Sequence, residues 1–208
     1  MSFAVVVSHS VAAPSFTKEP FCSMLQKGFD FLKQKFTTRK ICLLGIFAAI
    51  TAILGIFATF RIGNQIKIPL KFITVFITGA VFGPLSGGLV AAIADILNAV
   101  LVPVGPLMPQ ITAVEFCYGV IYGAFFYKAA DNYVYYLRAT LCCVIQFVIS
   151  ITLMSWILTS VGYFSSFNAA VAIRMPAALV TLALHLIVTC GGRKLIFTLK
   201  KYITKEKF

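Results

Sequence analysis

The feature that most constrains this chain is a series of six apolar runs separated by short polar segments. The first run, residues 41–60, has twenty residues. At about 1.5 Å per residue, a helix of that length spans roughly 30 Å, the thickness of the hydrocarbon layer of a bilayer. The other runs cover residues 69–82, 85–102, 111–127, 140–161 and 169–190. The chain is 60% hydrophobic and only 12% charged, about half the charged fraction of a soluble domain. We therefore predict an all-α integral membrane protein, a six-transmembrane-helix bundle.

The second run is short for a full span. It is compatible with a membrane position if neighbouring helices shield it, or if a tight turn at the sequence GPLSGG joins it to the third run.

The basic residues predict the orientation of the bundle. Of the 18 Lys and Arg, fourteen lie in residues 18–40, between the fourth and fifth runs, or after residue 190. The opposite side has Arg61, Lys67 and Lys71, and Arg174 lies inside the sixth run. Because cytoplasmic flanks are rich in Lys and Arg, both termini are predicted to be cytoplasmic. The net charge of +12 is thereby assigned to membrane flanks rather than to a nucleic-acid site.

Three regions follow from this division. Residues 1–40 form a basic segment in which residues 21–36 have the apolar spacing of an amphipathic helix on the membrane surface. Residues 41–190 form the membrane domain, and residues 191–208 form a basic cytoplasmic tail. We expect a multi-pass protein of the bacterial cell membrane.

The sequence lacks the motifs of the common enzyme classes. It has no G-x-x-x-x-G-K-[ST] phosphate loop, no H-E-x-x-H and no G-x-S-x-G. Its six cysteines form no C-x-x-C pair, and we interpret them as small buried residues rather than metal ligands. We predict no enzyme activity, no catalytic residue, no metal and no cofactor.

Charged residues within the apolar runs are the candidates for function. Asp95 is central in the third run, Glu115 lies in the fourth and Arg174 in the sixth. A charge at the bilayer centre costs about 2.5–3.5 kcal/mol on insertion scales, so each needs a partner or a polar cavity. In one interpretation Arg174 pairs with Asp95 or Glu115 and locks the bundle. In the other, Arg174 binds an anionic ligand in an outward-facing pocket.

The first run carries a stripe of small residues, namely Gly45, Ala48, Ala49, Ala52 and Gly55. Small residues let another helix approach closely. The stripe is compatible with packing inside the bundle or against another subunit.

The segment 82–123 resembles the substrate-binding S components of energy-coupling factor (ECF) transporters, in particular the folate family. The matching residues are Phe82-Gly83-Pro84, Asp95, Pro103-x-Gly105-Pro106, Pro109, Thr112 and Gly119-x-x-Tyr122-Gly123. Arg174 matches an arginine of that family in the sixth helix. The resemblance covers about residues 40–190.

The resemblance implies a folate-binding subunit that works with a transmembrane coupling subunit and two ATPase subunits. It implies that Arg174 holds a carboxylate of the ligand's glutamyl tail, while Asn98, Gln110 and Thr112 supply neutral hydrogen bonds. Asp95 or Glu115 would orient the arginine or accept hydrogen bonds from the ligand's ring. The family's A-x-x-x-A motif on the first helix implies a docking surface formed by Gly45, Ala48, Ala49 and Ala52.

Three alternatives stay open at this point. The same machinery could carry another ligand, such as a deazapurine or another vitamin. A stand-alone secondary transporter would use Asp95 as a proton relay, and a structural membrane subunit would bind no small molecule.

Overall fold

The computed structural model describes residues 37–62, 66–102, 108–127, 129 and 133–205. The described residues form seven helices and one two-stranded hairpin. The helices are α1 (Thr38–Phe57), α2 (Phe72–Phe82), α3 (Pro84–Leu101), α4 (Pro109–Phe126), α5 (Val134–Ser160), α6 (Phe167–Gly191) and α7 (Arg193–Lys205). The strands are β1 (Thr59–Ile62) and β2 (Ile66–Pro69). The predicted N-terminal amphipathic helix lies outside the described residues.

Helices α1 to α6 coincide in position with the six apolar runs, and the helical class of the protein is as predicted. Four of them, α1, α3, α5 and α6, are long and apolar enough to cross a membrane. The predicted number of spans and the side on which the termini lie remain predictions. We call the end of the bundle with the α2–α3 turn the inner end, following the charge-based orientation, and the hairpin end the outer end.

The hairpin is an element that the sequence analysis did not predict within an otherwise helical fold. The first apolar run does not continue as a helix to residue 60, because α1 ends at Phe57 and β1 begins at Thr59. The strands pair antiparallel, with Thr59 opposite Pro69. Three of the eight strand residues are Ile and one is Thr, and such β-branched side chains favour extended backbone. Strand β2 packs against α6.

Helix α2 explains how the short second run fits the bundle. It has 11 residues, so it spans about 16 Å, roughly half the hydrocarbon thickness. The hairpin leads into its outer end. At its inner end Gly83 has φ 102°, a conformation that glycine adopts without strain, and Pro84 begins α3 at once. The tight turn predicted at GPLSGG is therefore present.

Glycines bring α2, α3 and α4 into backbone contact. A Cβ atom added at Gly79 of α2 would lie 2.9 Å from the backbone nitrogen of Gly123 on α4. A Cβ atom added at Gly87 of α3 would lie 2.8 Å from the carbonyl oxygen of Gly119 on α4. Only glycine permits such an approach, which is a common packing mode of membrane helices.

The inner half of the bundle holds the main apolar core. Phe76 of α2 contacts Tyr122 and Phe126 of α4, at ring centroid distances of 5.5 and 4.9 Å. Tyr135 of α5 and Ile196 of α7 complete this cluster, and each is 1% exposed. The core thus holds the inner ends of the helices together, and the polar residues of the bundle lie on the outer side of this core.

Candidate functional site

An ion cluster joins three segments inside the bundle. The Nζ atom of Lys71, directly before α2, lies 2.9 Å from Glu115 Oε1 of α4 and 3.4 Å from Asp95 Oδ1 of α3. The hydroxyl group of Thr112 donates a hydrogen bond of 2.9 Å to the other oxygen of Asp95. The three charged side chains are only 14–18% exposed, so solvent screens these ion pairs less than surface pairs.

Helix lengths explain why these three charges meet. Lys71, Asp95 and Glu115 each lie eleven residues from the inner end of α2, α3 and α4 respectively. At about 1.5 Å per residue, all three are about 16 Å from that end, close to the middle of a bilayer. Each charge is costly alone at this depth, and the lysine between two carboxylates pairs with both, which leaves the cluster with a net charge of −1.

The structure does not show the pairing of Arg174 with Asp95 or Glu115, which was one of the two interpretations of the sequence. Lys71 occupies the position between Asp95 and Glu115, and among the described residues Arg174 forms no salt bridge with either acid. Arg174 is half-buried on α6, in the neighbourhood of Tyr118 on α4. Sequence reasoning missed Lys71 because the charge count placed it in an outer loop, whereas the short α2 places it in the bundle.

Polar residues continue along α4 below the ion cluster. Thr112, Glu115, Tyr118 and Tyr122 follow at spacings of three, three and four, so they share one face of the helix. Tyr118 lies near Ser150 of α5. This polar row within an apolar run was a signal in the sequence that the prediction did not use.

Tyr122, the residue of this row nearest the inner end, contacts α6. The Tyr122 hydroxyl lies 3.0 Å from Nδ1 of His185. The ring of Phe72 covers His185 at a centroid distance of 4.0 Å. Polar groups thus extend from the ion cluster to the top of the apolar core.

The predicted ligand residues divide into three groups. Asp95, Thr112 and Glu115 meet in the ion cluster, and Arg174 adjoins it through Tyr118. Gln110 is exposed in the first turn of α4, away from the cluster. The amide of Asn98 instead lies against Gly55 of α1, and its Oδ1 atom has no hydrogen-bond partner among the described residues.

The predicted small-residue surface of α1 is also divided. Ala48 and Ala52 are each 3% exposed and face the bundle, where Ala48 packs with Phe82 and Val90. Gly45 and Ala49 are exposed, and a Cβ atom added at Gly45 would meet nothing within 4 Å. Packing inside the bundle therefore accounts for Ala48 and Ala52, and their assignment to a partner surface stays a prediction. Gly45 and Ala49 remain available to a partner.

α6 contributes few buried side chains. Of its 25 residues only Ala170 and Thr189 are buried, although the helix packs on α5 and β2. Arg174 and His185 are partly exposed on this helix.

Comparisons with known proteins agree on one class of protein. Residues 35–197 match the family model described as "ECF-type riboflavin transporter, S component". The chain is 43% identical over 63 residues to the folate transporter FolT of Clostridium novyi (strain NT), a match that covers 30% of this chain and 37% of that relative. It is similar to the crystal structure of FolT bound with folic acid, with 28% identity and a TM-score of 0.65, over 74% of this chain and 91% of that chain.

Proposed function

Because this chain belongs to the S components of ECF-type transporters, the family whose model covers residues 35–197, we propose that it captures folate for import. It is a multi-pass protein of the bacterial plasma membrane and not an enzyme. Membership implies a vitamin ligand and a partnership with an ECF module. The identity of the vitamin and the steps of transport belong to the proposal.

The observation that carries the choice of folate is the state of Arg174. Asp95 and Glu115 both pair with Lys71, and the half-buried guanidinium group of Arg174 forms no salt bridge with a carboxylate among the described residues. Folate carries carboxylates on its glutamyl tail, and a guanidinium group binds carboxylates with two parallel hydrogen bonds. Riboflavin is uncharged and offers no such group. The likeness to FolT, which was crystallised with folic acid, supports the same choice.

The rest of the site suits the ring of the ligand. A pterin ring has N–H groups that donate hydrogen bonds, and the carboxylates of Asp95 and Glu115 have lone pairs beyond those used by Lys71 and Thr112. We assign these acids to recognition of the ring and Arg174 to the tail. Asn98 and Gln110 lie outside the cluster, and we assign them supporting hydrogen bonds to the ligand.

Transport requires a second protein surface. We propose that the loaded protein docks on a transmembrane coupling subunit through the exposed Gly45 and Ala49 of α1, where small residues permit close approach. Two ATPase subunits of the same module would supply the energy that reorients the protein in the membrane and releases the ligand into the cytoplasm.

Binding to the purified, detergent-solubilised protein tests the ligand. We expect folic acid to raise the temperature of unfolding, since a ligand that binds the native state stabilises it by mass action. The variant Arg174→Gln removes a charge-assisted contact worth about 1.5–3 kcal/mol, so the Kd for folic acid should rise roughly 10- to 100-fold. The control Arg39→Gln makes the same chemical change at the exposed inner end of α1 and should leave the Kd unchanged.

Other outcomes separate the alternatives. If riboflavin, the ligand named by the family description, is the only compound that stabilises the protein, it replaces folate as the proposed ligand of the same machinery. A deazapurine that alone stabilises the protein would replace folate in the same way. Uptake into vesicles that lack a coupling module would favour a secondary transporter in which Asp95 relays protons. If no vitamin or nucleobase stabilises the protein, the ion cluster serves structure alone.

A further inference from the structure

The helix α7 is attached to the inner end of the bundle by one of its faces. Ile196 is 1% exposed within the apolar core. The Nζ atom of Lys200 donates hydrogen bonds of 2.8 and 2.6 Å to the carbonyl oxygens of Phe126 and Tyr127, at the last turn of α4. A cation at this position also complements the dipole of α4. The predicted basic tail is therefore a docked helix.

The contacts of α7 define its direction. At its beginning, Arg193 donates a hydrogen bond of 3.0 Å to the Tyr136 hydroxyl at the start of α5, and its guanidinium group lies 5.3 Å from that ring. Seven residues later, Lys200 contacts the end of α4. Both attachment points are at the inner end of the bundle. The axis of α7 therefore runs across this end, along the membrane surface rather than through the bilayer.

The remaining faces of α7 have the character of an interfacial helix. Lys194, Thr198 and Lys201 are exposed, and their spacing of four and three places them on one face. Leu195 is 51% exposed beside them, and Leu137 in the first turn of α5 is 58% exposed. An exposed apolar side chain next to a row of lysines is typical of helices that lie in the headgroup region of a bilayer.

We propose that α7 binds anionic lipid headgroups through Lys194 and Lys201, with Leu195 reaching the acyl boundary. Charge complementarity favours this occupant, because α7 has no Asp or Glu between Arg193 and Lys205. A protein partner at this face would need an apolar surface of its own to cover Leu195 and the first turn of α5. The family match ends at residue 197, so Lys201 lies beyond the part of the chain shared with the family.

Hydrogen exchange of the full-length protein in nanodiscs tests the proposal. Discs of phosphatidylcholine are compared with discs that also contain phosphatidylglycerol, and exchange is measured at the amides of α7. Near an anionic surface each lysine raises the equilibrium constant for membrane binding by a factor of about five. The anionic discs should therefore slow amide exchange of α7 by about fivefold per lysine. The double variant Lys194→Gln/Lys201→Gln should lose this difference. Thr198→Gln changes the same face without a change of charge and should keep it.

Three results would overturn the proposal. They are equal exchange in both types of disc, a difference that persists in the double variant, and a difference that is equally reduced by Thr198→Gln. Slower exchange that appears only when a coupling module is added would instead assign the face to a protein partner. Unchanged exchange at the amides of α4 in every variant shows that the bundle itself is intact.

Discussion

Lys71 is the residue that determines the electrostatics of the bundle interior. Removing one partner of a buried ion pair leaves an uncompensated charge and costs about 3–5 kcal/mol. The variant Lys71→Met leaves Asp95 and Glu115 facing each other without a cation, so we expect a loss of stability of at least this size. Thermal unfolding of the ligand-free protein in detergent measures it, as a drop of several degrees in the unfolding temperature.

Neutral variants separate the ion cluster from simple packing of the lysine stem. The triple variant Lys71→Met/Asp95→Asn/Glu115→Gln removes all three charges, and it should recover most of the stability lost by Lys71→Met alone. Lys194→Met, at an exposed lysine of α7, should have no effect on the unfolding temperature. If Lys71→Met and Lys194→Met unfold at the same temperature, the described ion pairs do not stabilise the protein.

At the scale of the elements, backbone contact between α3 and α4 depends on Gly119. A Cβ atom there would overlap with the carbonyl oxygen of Gly87, and neither backbone can yield without displacing a helix. Overpacking of this kind costs about 1–3 kcal/mol, and we expect Gly119→Ala to reach the upper part of that range. Gly191→Ala is the matched control, since a Cβ atom at Gly191 meets nothing within 4 Å. Chemical or thermal unfolding of both variants should show a clear loss for the first and almost none for the second.

The two sides of α1 should respond differently to the same substitution. Ala48→Ile introduces a large side chain where the native one is 3% exposed, so we expect lower stability. Ala49→Ile, one residue on, projects into open surroundings and should leave folding and ligand binding unchanged. If Gly45 and Ala49 form the docking surface, Ala49→Ile should abolish uptake by the reconstituted module. Normal uptake by Ala49→Ile would move the docking surface elsewhere.

For the whole molecule, the sequence predicted the positions of the helices because apolar runs of this length have few other structures in a bilayer. It also located Asp95 and Glu115 correctly as residues in need of partners. The identity of the partner, Lys71, could not be predicted, since it depends on a helix of 11 residues that begins near the middle of the bundle. The hairpin was missed because residues 58–60 appear in the sequence as the end of the first apolar run, and residues 61–68 as a polar connection to the second. Ala48 and Ala49 could not be assigned to opposite surfaces from spacing alone, because the packing partner of α1 was unknown.

The orientation of the whole molecule connects these sites to the proposed transport, and it can be measured directly. The charge distribution predicts that α7 and residues 1–40 face the cytoplasm, while the segment between α5 and α6 faces outward. In a variant without native cysteines, a single cysteine is restored at position 22 or introduced as Ser165→Cys or Thr198→Cys, the last two at exposed positions. A membrane-impermeant maleimide should label Ser165→Cys in intact cells, and the other two only after permeabilisation. Labelling of Thr198→Cys in intact cells would show that the bundle has the opposite orientation. Lys194 and Lys201 would then face outward, and α7 could not bind lipids of the inner leaflet. Labelling on opposite sides at position 22 and Thr198→Cys would require an odd number of spans.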